Sequence, residues 1–449
     1  MGVTRDLAGI VERGVGDRMT GLSADVASRS ILDWLGCAIS GSTSDAANIA
    51  ARYAGPVSAR GASHVIASSL CLETGTAAWL NGIRGHIDDF DDSGSHPASY
   101  LTPTVLALGE EVGASGAQVI EAWIIGYEIA TRLGEGVRPD RGWHTTSLYG
   151  TLGATAAASA LLQLTLDQVE TAFGIAGSET AGLMRNFGSM AKSLHPANAA
   201  RAGIEAARLA QLGYESTRGI VEGRYGIVDC FGGPKAHLPS ITSRLSGQLL
   251  IDVQPPVIKA WPCCTGTHRS LTAVLDIFEE IRLEPGDILR VDHWGSLLPG
   301  EGPMQYSAVT TALQGKFSLE YCVAAALIDG RVDHDTFSPE RFARGDIQGL
   351  MTRVHRHRSP EARLHSQRTA DGIDVDVLAI EFRGQPVRKI KLGPRRVLDG
   401  DEVEKKFLAN AARGRVNAPA RQLVETVRDL PNAGSVASLM TMAAAPDEE

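Results

Sequence analysis

Apolar residues in this chain recur mostly at helical spacing. Val26, Ile31, Leu32, Leu35 and Ile39 form a stripe that predicts a helix over residues 20–41, with Thr20 or Ser23 placed to cap it. Ser44 stands where a second helix, Asp45 to Tyr53, needs its cap, and an Ala-rich run predicts a third over 74–87. Pro97 and Pro103 predict an irregular segment that turns helical only over 104–113. Further helices are predicted at 117–133, 146–162, 166–178 and 198–213. Ala and Gly crowd these segments, which lets helix axes approach closely, and no fixed repeat period runs through them.

Near residue 250 the pattern changes. Residues 253–262 are extended and Pro-rich, and a helix is predicted over 266–282. Alternation then predicts strands at 288–294, 350–355, 375–382 and 387–392, with helices over 315–329 and 338–349 between them. Helical spacing returns from Asp401 to Leu430, and the last residues, 443–449, read as a frayed tail. At 449 residues the chain is long for one core. The texture divides it into a helical stretch (1–260), an α+β stretch (261–394) and a second helical stretch (395–449).

Composition narrows the function. A net charge of −9 argues against a nucleic-acid binder, which carries a basic face. Local potential in a cleft still allows an anionic substrate. No run reaches the ~20 apolar residues of a membrane span, and the polar N-terminus lacks a signal core. Cys37, Cys71, Cys230, Cys263, Cys264 and Cys322 show no C-x-x-C spacing, which reads as buried thiols in a reducing compartment. The expectation is a cytoplasmic protein.

The densest candidate chemistry lies at Asn81–Pro97, where Asp88, Asp89, Asp91 and Asp92 stand with His86 and His96. Unpaired carboxylates cannot be buried cheaply, so the cluster is a solvated loop, a divalent-cation site or an acid/base centre. Three later stretches favour the last reading. Arg141-Gly-Trp-His144, Lys192-Ser-Leu-His195-Pro-Ala-Asn198-Ala-Ala-Arg201 and Lys259-Ala-Trp-Pro-Cys-Cys-Thr-Gly-Thr-His268-Arg269 each set a polar tip at the start of an apolar helix. A lysine beside a helix N-terminus suits a carboxylate. Cys263 and Cys264 lack an activating partner in sequence, and small buried thiols are the commoner case.

These motifs, with Gly150-Thr-Leu-Gly-Ala and Lys316-Phe-Ser-Leu-Glu-Tyr321, occur in an order that resembles the MmgE/PrpD family of 2-methylcitrate dehydratases, cis-aconitate decarboxylases and iminodisuccinate epimerases. The resemblance covers most of the chain. It implies a mainly α fold, with a large all-helical domain formed by both chain ends, a smaller α+β lid domain and a homodimer. Carried over by position, it implies a pocket of Asp89, Ser93, His96, His144, Lys192, His268 and Tyr321.

In that scheme Lys192, His268 and Arg269 or Arg201 hold substrate carboxylates. Asp89 with His144 or His96 exchanges protons, Ser93 contacts substrate, and Tyr321 donates a hydrogen bond from the lid. No metal or organic cofactor motif is evident, so side chains alone would do the work. Dehydration of a citrate-like hydroxy di- or tricarboxylate is the first expectation. Decarboxylation of a cis-aconitate-like acid, or epimerisation next to a carboxylate, is the second. A non-catalytic helical binding protein is the reading from another class.

Overall fold

The computed structural model describes residues 2–58, 60–280, 285–296, 298–359 and 376–446. Nine helices occupy the described residues up to 211: α1 (Val3–Arg13), α2 (Gly21–Gly41), α3 (Asp45–Val57), α4 (Thr74–His86), α5 (Pro97–Val112), α6 (Gly116–Gly136), α7 (Thr145–Leu161), α8 (Leu166–Gly177) and α9 (Leu194–Gln211). Side-chain caps start many of them. Thr20 and Ser23 make a capping box on α2, Ser44 caps α3, and the pairs Ser115/Gln118 and Thr165/Gln168 box α6 and α8. A small hairpin of β1 (Arg60–His64) and β2 (Cys71–Leu72) lies between α3 and α4.

The central helix is α7, buried along most of its length and packed between α6 and α9. Small residues make these contacts possible. A Cβ at Gly203 of α9 would lie 2.6 Å from the Ala154 backbone carbon, and one at Gly82 of α4 would lie 2.8 Å from the Ala197 Cα. The expected Ala/Gly role is therefore met at specific crossings.

After residue 260 come α10 (Thr265–Glu280), β3 (Ile288–Gly295), α11 (Leu319–Asp329), α12 (Gly345–Met351), β4 (Val354–Arg358), β5 (Val377–Phe382) and β6 (Arg388–Lys391). The sheet order is β4-β3-β5-β6, with β3 parallel to β4 and antiparallel to β5. Three helices close the described chain: α13 (Gly400–Ala411), α14 (Ala420–Arg428) and α15 (Ala437–Ala443).

Two apolar cores result. One draws on residues from Leu7 to Ile251 and again from Phe407 to Ala443. The other draws on Trp261 to Leu392, joined by Phe187 from the helical part. The fold is mainly α, as expected. No helix among the described residues is long and apolar enough to cross a membrane.

Several local expectations change. The segment after Pro97 is helical at once, because proline at the first helical position fits the required φ and its missing N–H is one the helix does not use. Pro103 then forfeits one backbone bond within a turn held by buried Leu101, Val105 and Leu106. Helix α12 runs to Met351, so β4 starts at Val354, later than the alternation suggested. The helical stretch expected over 401–430 consists of two helices, Gly400–Ala411 and Ala420–Arg428.

The expected end of α10 at 282 and the expected strand start at 375 lie outside the described residues. Residues 443–445 are tied down, with the Ala443 carbonyl accepting from Ala67 and the Ala445 N–H donating to Ser68. Cys230 is exposed, unlike the other cysteines.

Candidate active site

The site is built on the loop from Ile87 to His96 that joins α4 to α5. Asp89, Ser95 and His96 all have positive φ, a conformation that costs a non-glycine residue about 1 kcal/mol or more and needs outside support. Buried lysines supply it. Lys316 Nζ donates to the Asp88 carbonyl at 2.9 Å, Lys259 Nζ to the Asp89 carbonyl at 2.8 Å, and Lys406 Nζ to the Phe90 carbonyl at 2.6 Å. Three successive peptide groups are thus held from three separate parts of the chain.

The four carboxylates have four different environments. Asp89 lies between two ammonium groups, with Lys192 Nζ 2.8 Å from Oδ1 and Lys259 Nζ 3.0 Å from Oδ2. Burial opposes its charge, but Lys192 and Lys259 outweigh burial and hold it far below the usual carboxylate range. Asp91 accepts from both imidazoles, at 3.1 Å from His86 Nδ1 and 3.0 Å from His96 Nδ1, and from the Ser99 hydroxyl at 2.6 Å. Here too burial is overcome, by His86 and His96, and Asp91 stays ionised.

Asp92 accepts only the Ala98 N–H among the described residues. Burial, with Asp91 nearby, pushes its carboxyl well above the usual range, so it is held neutral. Asp88 turns the other way, toward Lys316 and His334.

These contacts fix proton positions on the rings. A charged Lys192 can only donate, so His86 Nε2, 2.6 Å from Nζ, accepts and His86 Nδ1–H points at Asp91. Burial and then Lys192 push His86 down to about 3, so it is neutral. His96 likewise gives Nδ1–H to Asp91, leaving Nε2 as a bare acceptor 3.8 Å from Asp89 Oδ1. Burial lowers its pKa as well. The two rings meet edge to face at 4.5 Å.

His144 is the N-cap residue of α7, its backbone N–H held by the Gly182 carbonyl. Its ring lies 6.2 Å from His96 and 6.5 Å from His86, and 4.7 Å from Phe187. Lys192, in the turn before α9, has Phe187 and Phe317 at 5.2 and 5.4 Å from its ammonium. Burial, the largest cause, lowers its pKa. Ser93 is buried where its N–H pairs with the Val257 carbonyl, the contact that brings Lys259 to the loop.

The structure therefore gathers Asp89, His96, His144 and Lys192, with Ser93 buried on the same loop. The other expected residues have partners of their own. Tyr321 is fully buried in the second core, its hydroxyl donating to the Thr336 carbonyl at 2.5 Å and its ring beside Phe337 and Phe342. Arg201 is part-exposed on α9 and pairs with Glu205 at 3.4 Å. Arg269 binds Asp376 and the Leu392 and Gly393 carbonyls, fastening α10 to the chain beyond β6. His268 is buried in the first turn of α10, its Nε2 3.3 Å from the Cys263 carbonyl and its ring beside Trp261. Packing and backbone contacts hold Tyr321 and His268, and carboxylate pairs hold Arg201 and Arg269.

Other residues enter that were not singled out for the pocket: His86 and Asp91 as paired orienters, Lys259, His195, Lys316 and Lys406. A single lysine inside the Pro-rich apolar run 253–262 was a signal for Lys259, since a charge there needs a partner. Lys406, beside Val403 and Phe407 on the buried side of α13, carried the same signal.

His86, Asp89, Asp91 and His96 each offer a ligand atom within 4.8 Å of one another, a set that could hold a metal ion. Lys192 already stands between His86 and Asp89, and Lys259 at the other Asp89 oxygen, so positive charge comes from the chain and opposes a divalent cation. Among the described residues Lys192 has hydrogen-bond acceptors for two of its three hydrogens, and Lys259 bonds the Asp89 carbonyl while pairing with Oδ2. The remaining hydrogens suit an anionic ligand.

Comparison with known proteins gives the family. The profile of the MmgE/PrpD N-terminal domain matches residues 5–238, and that of the MmgE/PrpD C-terminal domain residues 261–432. A cis-aconitate decarboxylase of Homo sapiens is 28% identical over 443 residues, spanning 93% of this chain and 89% of its own length. One of Mus musculus is 27% identical over 375 residues, spanning 80% and 76%. One of Aspergillus terreus is 32% identical over 338 residues, spanning 67% of each. With both domains matched in order on the segments that carry this cluster, the chain belongs to the MmgE/PrpD family.

Proposed function

We propose that the chain is a lyase that decarboxylates a small unsaturated tricarboxylate of the cis-aconitate kind, using its own side chains. The observation that carries the reading is the pair of buried ammonium groups on Asp89, next to a neutral imidazole whose Nε2 is bare. Loss of CO2 leaves an electron pair on carbon, delocalised toward a neighbouring carboxylate. Lys192 and Lys259 suit the carboxylates and the developing charge. A proton completes the carbon, given by His144 or by His96, whose bare Nε2 first takes one up from solvent and then passes it to the carbon.

Asp89 is too strongly stabilised as an anion to serve as a base at neutral pH. Its role in this reading is to place the two ammonium groups. Expulsion of water within the closed site strengthens each of these contacts.

Dehydration, first in the sequence expectation, becomes the second reading. The same imidazoles could take a proton and release hydroxide as water, but the similar proteins named above are decarboxylases. Epimerisation next to a carboxylate uses the same proton transfers. The test is incubation of the purified protein with cis-aconitate, 2-methylcitrate, citrate and iminodisuccinate, with NMR of the products and measurement of CO2. Release of CO2 from cis-aconitate alone is the expected result. Turnover of a hydroxy acid without CO2 would transfer the assignment to dehydration, and binding without turnover would favour a non-catalytic binding protein.

A further inference from the structure

His195 opens α9 three residues after Lys192 and takes no part in the Asp89 group. Its Nδ1 lies 2.7 Å from Nδ1 of His144, and both rings are buried. The other nitrogen of His144, Nε2, is 2.8 Å from the Thr146 hydroxyl, itself fully buried. Two nitrogens at that separation hold one proton between them: two N–H groups would clash, and two bare lone pairs would repel. We propose that His195 is a positioning residue for His144, the two rings sharing one proton so that His195 decides which nitrogen of His144 is protonated. The idea rests on the role given to His144 in the proposed function.

Two arrangements satisfy the contacts. In one, His144 Nδ1–H donates to His195, and His144 Nε2 accepts from Thr146. In the other, His195 Nδ1–H donates to His144, and His144 Nε2–H donates to Thr146. Moving from the first to the second adds a proton at His144 Nε2, passes the Nδ1 proton to His195 and releases one from His195 Nε2. One proton enters and one leaves, so the charge of the pair is unchanged.

The backbone holds both rings in register. The His144 N–H is bonded to the Gly182 carbonyl, and a Cβ on Gly182 would lie 3.3 Å from the His195 ring. The titratable groups around the pair are Lys192, His86 and His96, with Phe187 as an apolar wall. None of them is an anion, so among the described groups acting on the pair nothing compensates a second proton. Exchange of a single proton is the transition this setting permits.

The test has a spectroscopic arm and a kinetic arm. In the free protein, nitrogen-15 NMR of the histidine side chains reports the tautomer of His144, assigned by loss of its signals in His144→Gln. In His195→Phe the His144 tautomer is expected to change. With an active substrate, kcat should fall about tenfold or more with KM nearly unchanged and with a displaced pH limb. His195→Asn, which keeps a polar group beside His144, should recover part of kcat, and it carries the test if His195→Phe does not fold. Unchanged His144 signals in either folded variant overturn the pairing, whether or not a substrate has been found. Changed signals with a wild-type kcat and pH profile overturn the positioning role. Failure of all four carboxylates in the assay above would instead count against the proposed reaction.

Discussion

Removing the charge of Lys192 while keeping its bulk, as in Lys192→Met, leaves Asp89 with Lys259 alone and takes away the donor to His86 Nε2. Turnover is expected to fall by about 100-fold or more, since an electrostatic contact aimed at developing charge is lost. Steady-state kinetics on the active substrate check this, and near-wild-type kcat would remove Lys192 from the mechanism. His96→Gln should cost a similar factor, because an amide cannot carry the proton. Tyr321→Phe, by contrast, should change kcat less than about threefold and lose about 1 kcal/mol of stability, the value of one hydrogen bond.

Residue-level electrostatics also fix how stability varies with pH. His86 and His195 are pushed down to about 3 and about 4 by burial, against about 6.5 in an unfolded chain. A folded pKa below the unfolded one gives stability that is present above the unfolded value and lost as pH falls through the folded one. Asp33 has the opposite sign. Burial raises it to about 6, so its contribution is present at low pH and lost as pH rises through that value. Asp92, also raised by burial, has the sign of Asp33, but burial lowers His96, His144 and His293 as well, so the histidines outnumber the two carboxyls and the melting temperature should fall as pH is lowered from about 6.5 to about 4. Calorimetry at constant ionic strength measures this, and a melting temperature that rose over that window would contradict the assignment.

At the scale of elements, α13 is tied to the site loop by one residue. Lys406 bonds the Phe90 carbonyl and lies 2.7 Å from Asp33 of α2, both buried. Lys406→Met leaves Asp33 without its cation, which should cost about 3–5 kcal/mol in denaturant unfolding. Combining it with Asp33→Leu should restore most of that stability, because both charges are then gone. Activity should stay low in the double variant, since the Phe90 carbonyl still lacks its donor and Asp89 sits next to it. Full recovery of both would show that the loop needs no such support.

Helices α2, α3, α6 and α8 were legible because their caps and stripes are local. Helix α5 was not, because Pro97 ends one pattern and starts another, and only burial of Leu101 and Val105 decides which. The late start of β4 was missed for the same reason: its edge is set by partners distant in sequence.

For the whole molecule, the chain supplies its own positive charge where a cation could otherwise sit, through Lys192 and Lys259. Activity is therefore expected to survive prolonged dialysis against EDTA with less than about a twofold change. Loss of activity restored by a divalent metal would favour the ligand set His86, Asp89, Asp91 and His96 instead.

The sequence by itself determined the class of fold, the family and the segments that meet at the site. Apolar period, caps and motif order are properties of neighbouring residues, and they survive without coordinates. The tertiary structure decided the charge of each group. Asp89 and Asp92 are the same residue type three positions apart, and one is a fixed anion while the other is neutral. The difference comes from Lys192 and Lys259, more than a hundred residues away in sequence, and from burial that no local pattern records. The shared proton of His144 and His195 was decided in the same way, by a 2.7 Å contact between two helix starts.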